Sequence, residues 1–117
     1  MNEPTEKDGG EVRLRWYRAT GRDELREGRV TTAECGHRTI CLTHHEGQYG
    51  ALDNRCPHRG GPLGEGTIKD GRLRCPWHGW EFHPLHGRSP DASKEGLETF
   101  EVELRDDGVY VGVPEED

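Results

Sequence analysis

Residues 56–80 read CPHRGGPLGEGTIKDGRLRCPWHGW, and the fold is read outward from this stretch. It presents Cys56 and His58 on one arm and Cys75 and His78 on the other, with sixteen residues between His58 and Cys75. A thiol and an imidazole on each of two Gly- and Pro-rich arms must converge in space before either pair is useful. One chemistry for such a set is a structural zinc ion, but Cys2His2 zinc usually takes paired cysteines from one arm and paired histidines from the other. A mixed pair on each arm suits a two-iron cluster in which one iron takes both thiolates and the other both imidazoles.

Around this stretch the chain is poor in core-forming material. Of 117 residues, 29% are apolar and 33% charged, so one domain with a thin core is expected, and a bound metal group would contribute binding free energy to folding. Seventeen Gly and seven Pro point to turns and short strands rather than long helices. No apolar run approaches the roughly 20 residues of a membrane span, and the first residues, MNEPTEKDGGEVRLRW, lack the pattern of a secretory signal. The cytoplasm is therefore the expected compartment, where four cysteines serve as metal ligands or buried thiols rather than as disulfides.

The net charge of −7 argues against a nucleic-acid or anionic-membrane partner, because both select basic surfaces. Charge is unevenly spread. Between Arg55 and Arg88 six basic residues (Arg55, Arg59, Lys69, Arg72, Arg74, Arg88) outnumber three acidic ones (Glu65, Asp70, Glu81), a local +3 that leaves −10 for the rest.

Residues 1–10 read as a disordered tail, 11–113 as the domain with its metal-binding region at about 54–90, and 114–117 as an acidic tail. Alternating Val12, Leu14 and Trp16 predict a half-buried strand to Ala19, and Arg29–Ala33 a second. Asp23–Glu27 is long enough only for a turn of helix. The β-branched run within Arg38–His44, the turn Glu46-Gly47 and the return Gln48–Leu52 make a hairpin. Short strands at Arg72–Arg74 and Trp80–His83 flank the second arm, and Thr99–Leu104 with Val109–Val113 form a closing hairpin about Asp106-Asp107-Gly108. About eight short strands in all suggest an antiparallel β-sandwich or barrel.

Cys56-x-His58 and Cys75-x-x-His78, with Gly60-Gly61-Pro62-Leu63 after the first pair and Gly79-Trp80 after the second, resemble the Rieske [2Fe–2S] proteins, in particular the ferredoxins of bacterial ring-hydroxylating oxygenase systems. The resemblance implies an all-β, Rieske-type antiparallel β-sandwich or barrel with a cluster-binding subdomain of two loops. It implies one [2Fe–2S] cluster per chain, with Cys56 and Cys75 on the inner iron and His58 and His78 on the outer one. It also implies a monomeric one-electron carrier between a flavin-dependent ferredoxin reductase and a terminal oxygenase or other redox acceptor, with no catalytic residues of its own. Two other readings stand beside it: an electron-transfer subunit similar to the small subunit of nitrite reductase, and a zinc-stabilised interaction module.

Glycines 60, 61, 64, 66 and 79 read either as turn residues or as points of close backbone approach to cluster sulfurs. Pro90 matches the family's shielding third loop. Cys35 and Cys41 read as core thiols, His83 and His86 as solvated, and Trp77 and Trp80 as packed beneath the loops. Arg59 and Arg88 could rim a docking surface.

High-potential Rieske proteins carry an additional cysteine in each loop and a Ser and a Tyr after the second His-Gly. Here those positions correspond to Gly61, Trp77, Trp80 and Phe82, so the bracing disulfide and the two hydroxyls that stabilise the reduced state are missing. A midpoint of about −150 to −100 mV follows, at the low end of the Rieske range. Redox titration checks it, and a midpoint above about 0 mV overturns the role given to those hydroxyls.

Overall fold

The computed structural model describes residues 13–57, 60–77, 79–89 and 96–115. The strands are β1 (Leu14–Thr20), β2 (Val30–Cys35), β3 (Arg38–His45), β4 (Gln48–Asp53), β5 (Thr67–Lys69), β6 (Arg72–Arg74), β7 (Glu81–Phe82), β8 (Thr99–Arg105) and β9 (Gly108–Pro114), with a 3-10 turn at Leu63–Glu65. Two antiparallel sheets result, a six-stranded one ordered β1-β9-β8-β4-β3-β2 and a three-stranded one ordered β5-β6-β7. The larger sheet curls until its two edge strands meet, and the Tyr17 ring of β1 lies over Gly36 in the β2–β3 turn. This is the all-β sandwich-or-barrel class expected from the turn pattern.

Local chemistry sets the turns. Glu46 and Gly47 both take positive φ (52° and 78°), the geometry of a two-residue hairpin loop that keeps the strands' twist. Glu46 is an unfavoured residue there, and its backbone N–H, with that of Gly47, donates to the Glu27 carboxylate at 2.5 and 2.8 Å. Those bonds hold the Glu27 carboxyl below its usual range. The single helical turn expected at Asp23–Glu27 is absent: Asp23 has φ 67°, and the segment is a series of turns tied to β3 by His44 Nδ1 and the Leu25 carbonyl, 2.8 Å apart.

The core divides in two across β3 and β4. Ile40, Leu42 and Ala51 face a core inside the curl with Leu25, Phe100, Val109, Val111 and Val113. Cys41 and Leu52 face the other way, into a second core with Cys56, Leu63, Leu73, Cys75, Phe82 and Leu97. The two leftover thiols are inert core groups: burial pushes Cys35 up to about 11 and Cys41 up to about 12, far from thiolate chemistry near neutrality.

β4 and β8 are neighbours in the sheet, pairing Ala51 with Phe100 and Leu52 with Thr99. The segment Asn54–Leu97, with the small sheet, is thus an insertion between adjacent strands. It is anchored twice. Arg38 reaches Glu98 at 2.6 Å and Asp53 at 3.9 Å, and the buried Thr43 hydroxyl donates to the Pro84 carbonyl at 2.6 Å. His83 opens the turn that carries Pro84. Its Nδ1 accepts the Leu85 N–H at 3.1 Å, its ring stacks on His86 at 3.6 Å and meets the His45 ring edge-on at 5.8 Å. His83 is therefore half-buried in a histidine cluster, not solvated as its sequence context suggests.

Two outcomes follow. Thr43→Val keeps the shape but strands the buried Pro84 carbonyl, so denaturant unfolding should show a loss of about 1–3 kcal/mol. Burial first, and then His86 and His45, lower the His83 pKa, so near pH 6 the unfolded chain binds more protons than the folded one. Stability should be complete above the ordinary His value of about 6.5 and fall as pH drops below it. His83→Asn retains an acceptor without a charge and should flatten that fall between pH 7.5 and 5; an unchanged pH profile would exclude His83 as its source.

Candidate metal centre

Cys56 and Cys75 enter the inserted segment on two loops built to one plan. In the first, the Gly60 N–H donates to the Cys56 carbonyl at 2.7 Å and the Cys56 N–H to the Gly61 carbonyl at 2.9 Å. In the second, the Gly79 N–H donates to the Cys75 carbonyl at 3.1 Å and the Cys75 N–H to the Trp80 carbonyl at 2.8 Å. Each cysteine is bonded to the residues four and five positions on. Closing such a loop requires a left-handed residue at the fourth position, and Gly60 and Gly79 supply it with φ 78° and 76°. The echo between Cys-Pro-His and Cys-Pro-Trp-His is thus an echo of backbone geometry.

The base of the first loop is clamped by Asn54, which sequence reasoning passed over. Its carbonyl accepts from the Leu63 N–H at 2.8 Å and its side-chain Oδ1 from the Gly64 N–H at 2.6 Å. An Asn two residues before the first cysteine, ahead of a Gly-Pro turn, was the available signal. The second loop stands on β6 and β7, where Arg72 and Arg74 pair with Glu81 at 3.7 and 2.6 Å. Two of the six basic residues of this region therefore share one of its three carboxylates, and the net +3 stands.

Both thiols are buried, and they sit in one core with Leu63, Leu73 and Phe82. A Cβ added at Gly61 would stand 2.8 Å from Cys75 Sγ, so the first loop's backbone passes directly over the second loop's thiol. The loops do converge, as the mixed ligand pairs require. His58 and His78 lie outside the described residues, as do Arg59, Pro90 and the tail through residue 12. Among the described residues no group of three or more His, Cys, Asp or Glu is arrayed for a metal. Two thiols on mirrored, glycine-closed loops that each also carry a histidine fit a two-iron, two-sulfide cluster held by mixed thiolate and imidazole ligands.

Of the two tryptophans expected beneath the loops, Trp80 is half-buried and packs on the second core, whereas Trp77 is 57% exposed and lies over Gly61. Phe82 is buried.

Comparison with known proteins agrees with this geometry. The Rieske [2Fe–2S] domain family matches residues 15–101. Apoptosis-inducing factor 3 of Homo sapiens is 36% identical over 89 residues, which make up 75% of this chain and 15% of that protein. The terminal oxygenase of carbazole 1,9a-dioxygenase from Nocardioides aromaticivorans IC177 superposes with a TM-score of 0.76 at 27% identity, over 91% of this chain and 32% of that one. The ferredoxin of carbazole 1,9a-dioxygenase from the same organism shares the fold, with a TM-score of 0.72 at 17% identity over 86% of this chain and 98% of that one. With the family matched across residues 15–101 and the two cysteine loops closed against each other, the chain belongs to the Rieske [2Fe–2S] domain family and takes one [2Fe–2S] cluster as its cofactor.

Proposed function

We propose that the chain is a one-electron carrier in which Cys56 and Cys75 hold one iron of the cluster and His58 and His78 the other. The observation that carries this reading is the pair of mirrored loops, which bring two cysteines together and give each a histidine two or three residues on. When bound, the cluster supplies a one-electron couple. The chain's part is to set its potential and its exposure. Two neutral imidazoles in place of two thiolates leave the site less negative, which lifts the potential above the roughly −400 mV of all-thiolate plant-type ferredoxins. The buried thiols sit against Leu63, Leu73 and Phe82, which exclude water from the inner side.

The donor in this reading is a flavin-dependent ferredoxin reductase, and the acceptor a terminal oxygenase or another redox enzyme. Its support is the likeness, at 25% identity and a TM-score of 0.72, to a chain of the complex of reduced oxygenase and oxidized ferredoxin in carbazole 1,9a-dioxygenase. A second reading, an electron-entry domain acting within a longer oxidoreductase, draws support from the higher identities, 36% and 27%, to short portions of larger proteins. No helix among the described residues is long and apolar enough to cross a membrane.

Purified protein should be red-brown, contain iron and acid-labile sulfide at about 2:2 per chain, and give a low-average-g signal by electron paramagnetic resonance (EPR) when reduced. Cys75→Ser and His78→Ala should each abolish that signal while far-UV circular dichroism (CD) retains the strand spectrum. A colourless zinc protein would refute the cluster. For the carrier role, stopped-flow mixing of the reduced protein with a terminal oxygenase of the carbazole dioxygenase type should show reoxidation in trans. Failure to be reoxidised by oxygenase or to be reduced by a flavin reductase would favour the within-chain reading.

A further inference from the structure

Trp77 and Leu104 are the large apolar side chains left exposed among the described residues, and only Trp77 stands on a cysteine loop. An exposed indole there looks like wasted apolar surface until its contact is located. A Cβ at Gly61 would lie 3.2 Å from both Cγ and Cδ2 of Trp77, and 2.8 Å from Cys75 Sγ. The space a Gly61 side chain would fill is thus bounded by both the ring and the thiol of the second loop, and Gly61 is buried there. The same glycine's carbonyl accepts the Cys56 N–H at 2.9 Å. Trp77, Gly61 and the Cys56 backbone form one continuous line of contact from the surface to the other cysteine.

We propose that Trp77 is a positioning residue that clasps the two loops together: its ring packs on Gly61 beside the Cys75 thiol, fixing Cys56 relative to Cys75 and keeping water from that thiol. Among the described residues, the loop-closing backbone bonds stay within each loop: Cys56 bonds to Gly60 and Gly61, and Cys75 to Gly79 and Trp80. Because Gly61 has no Cβ, an aromatic ring and the thiol can both close on its backbone. The proposal rests on Cys56 and Cys75 being cluster ligands, and the experiment separates the two.

Wild type, Trp77→Phe, Trp77→Ala and Gly61→Ala would be compared for cluster lifetime under chelator, followed by visible CD, and for the EPR g-values of the reduced state. Trp77→Ala should lose its cluster about tenfold faster, the scale of one aromatic contact (about 1.4 kcal/mol), and shift the g-values. Trp77→Phe should restore both. Gly61→Ala should resemble Trp77→Ala, because its methyl displaces ring or thiol. Metal-stripped wild type and Trp77→Ala, with folding checked by far-UV CD, would also be alkylated with iodoacetamide and the modified peptides quantified. Cys75 should react faster in Trp77→Ala while the buried Cys41 does not. Equal cluster lifetimes and equal Cys75 reactivity in wild type and Trp77→Ala would overturn the clasp, as would Trp77→Phe behaving like Trp77→Ala. Wild type without iron and sulfide would instead overturn the ligand assignment, leaving the alkylation result to decide the clasp.

Discussion

Burial of β3 and β4 on both faces is the constraint on which the rest of the molecule depends. Ile40, Leu42 and Ala51 serve the curled sheet, and Cys41, Thr43 and Leu52 serve the inserted segment. A strand with a solvated face alternates apolar and polar residues; one covered on both sides cannot. That is why the run from Thr39 to Thr43 is unbroken, and why a cysteine with no redox part sits in it. Small size at Gly50 belongs to the same packing: a side chain there would meet the Pro84 carbonyl at 2.7 Å.

The strands that sequence predicts well are those whose signal is local. The hairpins β3–β4 and β8–β9 carry both β-branched residues and turn dipeptides, and their observed limits lie within a residue or so of expectation. The Cys-x-His and Cys-x-x-His pattern is legible because a mixed-ligand cluster demands those residue types, whatever the surrounding fold. β5 was not legible: Thr67–Lys69 follows Gly66, and only pairing with β6 makes it a strand. The 3-10 turn at Leu63–Glu65 is likewise imposed from outside, by the Asn54 clamp and the tight approach of Gly64 to Thr32. Trp77 and His83 were misread for a shared reason: their neighbours, Gly61, His45 and Pro84's anchor Thr43, are distant in sequence.

Charges in and beneath the inserted segment are paired locally. Glu81 takes two arginines and Arg38 takes two carboxylates, so several formal charges are spent within the fold. Exposed pairs of this kind contribute about 0–1 kcal/mol each. Their value here is directional: Arg74–Glu81 ties β6 to β7 beneath the second loop, and Arg38–Glu98 ties the exit of the segment to β3.

Because β4 pairs directly with β8, no described residue of the Cys56–Trp80 stretch belongs to the six-stranded sheet. Maturation of the protein can therefore be sequential. The sheet has its full set of neighbours without iron, at the cost of closing one long loop, and that cost grows only logarithmically with loop length. Loading can then come last in assembly, on a sheet whose strand pairing is already complete.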